Sequence, residues 1–271
     1  IADPVMDAAS PKSRLGLLLF ALGLSFTWPA LLRAADEGSA GSKADNGTDP
    51  TRLSRIAEAK YEYLDLERGV SSGTLRLSWT QPLGARRDWA LIARVPVASV
   101  DAGGQGSHDL GDASLKLSHV FGLTQTHGWV AQGEISFDTA ARPELGSGKD
   151  VFKGTLIYAR FLQGGGIFAP AWVQSRSLGG DSRRATVNAT TFDFYYVPKM
   201  ADPRNLVTLD PALNFDWEND AEFFSFAVTA GRVLGPAFGG NAIGFVKPTL
   251  FAGDDRPGSW GIELGFKVIG F

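Results

Sequence analysis

The sequence of 271 residues predicts an all-β fold, a transmembrane up-and-down antiparallel β-barrel. Apolar and polar residues alternate through most of the chain, as they do in strands with one apolar and one polar face. The alternating segments are about ten to twelve residues long, the length a tilted strand needs to cross hydrocarbon, whereas strands of soluble sandwiches usually have about five or six. The N-terminal region carries a pattern typical of exported proteins.

Composition agrees with a barrel and limits the other classes. The chain has no cysteine, so it forms neither disulfides nor thiolate metal sites, and its 33 glycines suit many strands joined by turns. A net charge of -3 makes nucleic acid an unexpected partner. A mean hydropathy of -0.03 is no argument against a membrane, because the two faces of a barrel strand average out.

Residues 1–35 are predicted to be a secretory signal peptide, in which residues 1–5 are extra residues ahead of Met6 as the start. Two basic residues, an apolar run over residues 15–32 and the small pair Ala34-Ala35 form the pattern. The alternative is a retained transmembrane anchor. The run is barely long enough to span and contains a proline, which favours cleavage.

Residues 36–60 are predicted to form a polar tail and a short helix. Asp49 suits the N-cap, Pro50 suits the first turn, and apolar residues follow at helical spacing until about Tyr61. The helix would lie either on the surface or across the periplasmic mouth of the barrel.

Residues 61–271 are predicted to form the barrel itself. The clean alternating segments cover residues 74–80, 89–97, 112–121 and 129–138. Less regular segments cover residues 150–162, 166–177, 186–197, 205–217, 222–233, 241–252 and 260–271. Single-chain bacterial barrels have an even number of strands, so a further strand at Tyr61 to Glu67 makes twelve, with ten as the alternative if a weak segment is a loop.

Aromatic residues stand at the segment ends, where an interfacial girdle is expected. The predicted membrane-interface aromatics are Trp79, Trp89, Trp129, Trp217, Trp260 and Phe271.

Charged residues inside the strands are expected to face the lumen, because a Lys or Arg at the bilayer midplane costs roughly 2–4 kcal/mol. The predicted lumen-lining residues are Arg76, Arg94, Asp112, Lys116, Glu134, Asp138, Asp216, Lys247, Glu263 and Lys267. They either line a polar path or fill and pin a narrow barrel. Both signs occur, so strong ion selectivity is not indicated.

No motif indicates catalysis, a metal or a cofactor. His108, His119 and His127 lack metal-ligand spacing. Ser118 and His119 are adjacent and therefore face opposite sides of a strand, so they form no local nucleophile–base pair. Gly103 to Gly106 is a glycine-rich loop with no following helix to bind phosphate. The chain is therefore not expected to be an enzyme.

The C-terminal segment ends in an aromatic residue, similar to the signal that outer-membrane assembly machinery reads. Trp260 through Val268 keep one phase, but Ile269 and Phe271 fall on the other face. A β-bulge near Val268 is one way to restore the phase, and the alternative is that the resemblance of this terminus to the assembly signal is weaker.

Short motifs along about residues 50–271 resemble the outer-membrane proteins grouped under the phenol-degradation MetA-pathway name. They are DWALIARVPV (Asp88 to Val97), DLGDASLKLSHVF (Asp109 to Phe121), LGSGKD (Leu145 to Asp150), NFDWEND (Asn214 to Asp220), GRV (Gly231 to Val233), VKP (Val246 to Pro248) and GIELGFKV (Gly261 to Val268). The resemblance implies a barrel and uptake of hydrophobic or aromatic compounds, and it supplies no catalytic residues.

The sequence thus predicts a channel or transporter for small molecules in a bacterial outer membrane. Its expected partners are outer-membrane lipid, the outer-membrane assembly machinery and a small-molecule ligand. The alternatives are a structural or adhesive barrel without transport, or a soluble periplasmic β-sandwich.

Overall fold

A computed structural model describes residues 46–271 of the chain. This part of the chain is almost entirely β-structure, with one 3₁₀ turn at Pro143–Leu145. The strands are β1 (Ile56–Asp65), β2 (Val70–Leu83), β3 (Trp89–Ala102), β4 (Gln105–Leu110), β5 (Ser114–Phe121), β6 (His127–Ser136), β7 (Lys149–Phe161), β8 (Ile167–Gly180), β9 (Asn188–Val197), β10 (Asn205–Asp216), β11 (Ala221–Ala237), β12 (Gly240–Ala252) and β13 (Trp260–Ile269).

The strands close into a barrel of twelve antiparallel positions. Strand β1 pairs with β2 on one side and with β13 on the other, and β2 pairs with β3, so the sheet has no free edge along its wall. Strands β4 and β5 occupy one position, because both pair with β3 and are separated by a break at residues 111–113. The predicted twelve-stranded barrel is therefore confirmed.

The barrel has two distinct ends. The terminal end carries the start of β1 and the end of β13, together with the turns that follow β2, β5, β7, β9 and β11. The far end carries the remaining connections, of which residues 137–148 are the longest among the described strands.

Alternate side chains face the interior and the outer surface. On β5, Leu115 is 45% exposed and its neighbour Lys116 is 7% exposed. The outer surface is rich in leucine, valine and aromatic side chains that are exposed in the isolated chain. A closed barrel with an apolar exterior suits hydrocarbon, because closure pairs the backbone groups of neighbouring strands and the outward side chains are apolar.

The predicted helix after Asp49 is wrong. Asp49 caps a turn instead, since its Oδ1 accepts hydrogen bonds from the backbone N–H (2.9 Å) and the hydroxyl (2.7 Å) of Thr51. Residues 56–65 form strand β1, which includes the extra strand predicted at Tyr61. Without β1, the edges of β2 and β13 would lie unpaired in hydrocarbon, so closure overrides the helical spacing.

Of the two alternatives for the C-terminal strand, the bulge near Val268 is absent. The pairing of β13 with β1 and with β12 runs without a break through Ile269. Ile269 faces inward and packs with Ile56, Val233 and Ile243, so the alternation never slips. Gly270 then adopts a left-handed backbone conformation (φ 78°), and the following Phe271 ring packs on Trp79.

Among the described residues, no helix is long and apolar enough to cross a membrane. The predicted signal peptide, residues 1–35, and the polar tail as far as residue 45 lie outside the described residues.

Candidate functional site

Inward-facing charged side chains form a band at mid-height in the barrel, here called the charged belt. Its members are Lys60, Glu62, Arg76, Arg94, Lys116, Glu134, Lys153, Asp193, Asp210, Lys247, Glu263 and Lys267. Such groups are expensive to bury, and they are retained inside membrane proteins where they pair or serve a function.

One wall of the belt is built around Glu134. The carboxylate of Glu134 forms ion pairs with Arg94 and, at 3.2 Å, with the ammonium of Lys116, and it accepts a 2.8 Å hydrogen bond from the hydroxyl of Ser114. Lys116 and Lys153 lie directly opposite Glu134 on the two neighbouring strands. We call Arg94, Lys116, Glu134 and Lys153 the Glu134 cluster. Arg94 and Lys116 both contact this one carboxylate.

The opposite wall is built from one-to-one ion pairs. Lys60 lies 2.8 Å from Glu263, and Lys247 lies 2.9 Å from Asp210. Asp193 is fully buried beside Asp210 and Lys247. On this wall Lys60 and Lys247 each pair with one carboxylate, whereas Arg94 and Lys116 contact the same one.

We call this side, with the ion pairs of Lys60 and Lys247, the paired wall. A cavity of about 60 Å³ lies against it. Gly47 and Thr48 of the segment before β1 close one side of it, and Lys60, Lys247 and Glu263 line the other. A space of this size with polar walls holds about four water molecules.

Between the charged belt and the terminal end, the interior changes from charged to apolar. We call the inward-facing residues there the mouth collar. They are Ala90, Ile92, Val120, Val130, Ile157, Ala159, Ala169, Ala171, Tyr195 and Val197. Many collar residues are small, so the wall alone leaves a bore at this level.

The segment of residues 46–54 occupies that bore. Leu53 packs in the mouth collar and is 1% exposed, and Pro50 is also fully buried. The hydroxyl of Tyr195 donates a 3.2 Å hydrogen bond to the carbonyl of Thr48. The segment is held by apolar packing, a few hydrogen bonds and a single β-bridge at Leu53, and it forms no strand.

The far end is covered by residues 137–148. Leu145 is buried against the inward-facing Ala98 and Val100. Asp112 holds this connection, because its carboxylate accepts hydrogen bonds from the backbone N–H groups of residues 139 and 140 and from Ser147 (2.7 Å from the backbone nitrogen).

Seven of the ten predicted lumen residues lie in the charged belt. They are Arg76, Arg94, Lys116, Glu134, Lys247, Glu263 and Lys267. Asp112, Asp138 and Asp216 instead lie where strands end. Asp216 caps the turn to Asn219, and burial together with the carboxylates of Asp112 and Asp150 raises the pKa of Asp138. Carboxylates at strand ends bond to turn backbone, which strand alternation does not reveal.

Five belt residues escaped the sequence prediction: Lys60, Glu62, Lys153, Asp193 and Asp210. Lys60 was assigned to the helix, and Glu62 shares its inward face with Leu64. The other three share their inward faces with Ile157, Tyr195 or Leu206, so their strands show no clear polar face. A charge inside a predicted spanning strand was the signal that could have found them.

The predicted interface aromatics lie in two rings on the outer surface. Trp79, Trp89, Trp129 and Phe271 lie near the terminal end, and Trp217 and Trp260 lie near the far end. Trp89 stacks on His119 at 4.0 Å between ring centroids, and the indole N–H of Trp217 donates a 2.8 Å hydrogen bond to Thr190.

The spacing of the two rings suits a bilayer. Trp79 pairs with Ala57, Trp260 pairs with Asp65, and these two β1 residues are eight positions apart. That is about 26 Å along the strand and roughly 20 Å along the axis of a barrel with strands tilted by about 40°.

Within residues 46–271 no group of three or more histidine, cysteine or acidic side chains could hold a metal ion. His119 contacts the carbonyl of Asp88 and the ring of Trp89, and His127 contacts Thr124. These are surface contacts at the terminal end.

The geometry defines the class of protein: a closed twelve-stranded barrel with an apolar exterior, a charged interior and a chain segment inside its mouth. No family model and no curated protein matches the sequence. The resemblance to the phenol-degradation MetA-pathway group therefore stays a prediction.

Solved structures of outer-membrane barrels are similar to this chain. A crystal structure of an outer membrane channel from Pseudomonas putida F1 has a TM-score of 0.62 at 12% identity, covering 86% of this chain and 100% of that chain. The NanC porin has a TM-score of 0.53 at 9% identity, covering 80% and 99%. The β domain of the Bordetella autotransporter BrkA has a TM-score of 0.50 at 12% identity, covering 79% and 98%. At these identities the likeness shows the fold.

Proposed function

We propose that this chain is an outer-membrane channel or transporter that passes a small molecule through the barrel and is closed at its terminal end by residues 46–54. The proposal joins three features: a lipid-suited exterior, a charged interior and a mouth occupied by a segment outside the wall. Channels and porins among the similar structures agree with it, though they establish only the fold.

The mouth collar carries this proposal. A barrel that only needs to be stable can fill its interior with large wall side chains, as small barrels do. Here the wall contributes Ala90, Ala159, Ala169 and Ala171, and the space is filled by Leu53 from a segment that forms a single β-bridge and no strand. Withdrawing the segment would open a bore without breaking the wall.

A structural or adhesive barrel without transport is the second candidate. Adhesion requires long loops that reach beyond the lipid headgroups. The longest described connection, residues 137–148, instead folds back with Leu145 buried against the wall. The interior therefore offers more to a ligand than the far-end loops do.

The expected partners follow from the same surfaces. Lipid would contact the outer apolar band, and the assembly machinery would read the C-terminal strand that ends at Phe271. The apolar mouth collar favours passage of a hydrophobic or aromatic body, as the family resemblance implies. To pass the charged belt, that molecule must also carry a polar group or be accompanied by water.

Single-channel recording in planar bilayers tests the proposal. We expect the full chain to show small or infrequent openings, and a variant lacking residues 46–54 to show a steady and larger conductance. Gel migration with and without heating checks that both proteins are folded barrels. Two folded proteins that carry no current would overturn the channel and favour the structural barrel.

A further inference from the structure

The outer surface carries a continuous row of rings near the terminal end, here called the aromatic ledge. It crosses strands β3, β5, β6 and β7 and consists of Trp89, His119, Phe121, Trp129 and Tyr158. Successive ring centroids lie 4.0, 5.7, 6.5 and 4.8 Å apart. The rings therefore form one shelf over four neighbouring strands, which span about 14 Å at the usual strand spacing.

Arginine side chains stand at both ends of the aromatic ledge. Arg86 and Arg87 lie in the turn between β2 and β3, directly before Trp89, and both are exposed. Arg160 lies two residues beyond Tyr158 on β7, so it faces outward as well, and it is also exposed. Asp88 follows the two arginines in the turn and offsets one of them. The ends of the ledge therefore keep a net positive charge.

The two ends of the barrel differ in the sign of their outward charges. Along the described strands, the outward charged residues at the far end are mainly acidic, namely Asp65, Asp101, Asp150 and Glu222 beside Arg176. At the terminal end they are Arg160 and Arg232. Charged side chains at a membrane surface attract headgroups of opposite sign, so the terminal end suits a leaflet that contains anionic lipid.

Arg160 lies at the depth that a lipid phosphate would occupy. Trp129 and Tyr158 are paired across β6 and β7, and Arg160 lies two residues nearer the terminal end, about 7 Å along the strand. His127 and Phe168 are its neighbours on the adjoining strands. Aromatic rings of barrels lie at the boundary of the hydrocarbon, so a guanidinium group one step further out lies among the headgroups.

We propose that Arg86, Arg87 and Arg160 form, with the aromatic ledge, a binding site for an anionic glycerophospholipid. Guanidinium groups bind phosphate oxygens through paired N–H donors, and the ledge supports the glycerol and the upper acyl chains. The proposal goes beyond the channel, because it concerns the outer surface and holds whether or not the bore conducts.

Native mass spectrometry tests which phospholipid the barrel retains when detergent is removed. The full chain is equilibrated in detergent with equal amounts of phosphatidylglycerol and phosphatidylcholine that carry the same acyl chains. We expect bound phosphatidylglycerol to exceed bound phosphatidylcholine, because only the headgroup differs. Equal retention of the two lipids would overturn the site.

A soluble headgroup distinguishes a lipid site from a site for free phosphate. Glycerol 3-phosphate added to the same mixture should displace little phosphatidylglycerol, because it has no acyl chain to lie along the ledge. Complete displacement would overturn the lipid as the ligand.

Matched variants locate the site on the barrel. Arg160→Gln is expected to lower the preference for phosphatidylglycerol about fivefold, the effect of one arginine near an anionic surface. Arg176→Gln removes an outward arginine at the far end and should leave the preference unchanged. Equal losses in the two variants would show unspecific attraction and overturn the site.

The turn arginines provide a second test that does not alter a strand. If Arg160→Gln fails to form a heat-modifiable barrel, the double variant Arg86→Gln with Arg87→Gln decides, because both side chains are exposed in a turn. We expect it to lower the preference by at least about fivefold. An unchanged preference would overturn the site.

Discussion

The mouth collar and the Glu134 cluster belong to the same inward faces of the same strands, yet they differ completely in chemistry. On β6, Val130 lies in the collar and Glu134 in the cluster, and on β7 the sequence changes from Ile157 to Lys153 within four residues. Alternation decides that these side chains face inward. What each one meets there, an apolar chain segment or other charges, decides which residue type is stable.

The two regions are also closed by different means. In the collar the partner is Leu53, a side chain from outside the wall, and removing it would leave apolar residues around a bore. In the cluster the partner of the cations is Glu134, a wall residue that cannot be withdrawn. In the channel that we propose, the collar is the place where the barrel would open, whereas the cluster stays part of the wall.

The largest expected effect comes from removing the carboxylate of the cluster. Glu134→Gln removes the carboxylate that Arg94 and Lys116 contact, so we expect the free energy of unfolding to fall by about 3–5 kcal/mol. Glu62→Gln is the matched control, because Glu62 has a looser contact of 3.9 Å with Arg76. Urea unfolding in lipid or detergent measures both, and equal losses would contradict the cluster as described.

The collar is tested by Leu53→Ala. We expect it to weaken docking of residues 46–54 by about 2–5 kcal/mol, the usual cost of emptying a leucine site. The chain has no cysteine, so a single Ala169→Cys in the collar reports opening through its rate of reaction with a water-soluble thiol reagent. The rate should rise with Leu53→Ala and stay unchanged with Arg52→Ala, which is half-buried. Identical rates would mean that Leu53 does not close the mouth.

Both regions depend on the assignment of inward and outward side chains, which is tested at two neighbouring residues of β5. Leu115→Arg puts a charge into hydrocarbon and should destabilise the barrel by roughly 2–4 kcal/mol if it lies near the midplane. Lys116→Ala should cost less, since it leaves Glu134 paired with Arg94. Reversible unfolding measures both. A neutral Leu115→Arg beside a stabilising Lys116→Leu would show that the assigned facing is reversed.

Strand positions followed closely from the sequence. The segment predicted at residues 150–162 is β7, Lys149–Phe161, and the one at 205–217 is β10, Asn205–Asp216. For these strands period-two alternation and turn residues were enough, because a strand in lipid has one face that must be apolar.

The interior was harder to predict, because nothing local determines its polarity. Lys153 was missed since its inward neighbours on β7 include Ile157 and Ala159, which face Leu53 and not water. Asp112 was assigned to the lumen although it bonds the backbone near Ser147, a contact set by a connection more than thirty residues away in sequence. The balance of charge in the Glu134 cluster emerges only when four strands lie side by side.

The smallest expected effect on stability concerns Phe271, where the sequence prediction was an assembly signal. Its ring meets Trp79 at 5.3 Å in an edge-to-face contact, which contributes about 0.5–1.5 kcal/mol beyond the area it buries. Deleting Phe271 and replacing Trp79 by Leu both remove this contact, but only the deletion changes the terminal residue. If Phe271 is read during assembly, quantitative blotting of outer-membrane fractions should show a large loss for the deletion, little loss for Trp79→Leu and none for Phe271→Tyr. If Phe271 only packs, the two losses should be equal and as small as the change in unfolding free energy. Gly270, with a φ of 78°, takes the Phe271 ring out of the inward–outward alternation of β13. Equal losses would therefore also mean that this backbone conformation serves packing alone.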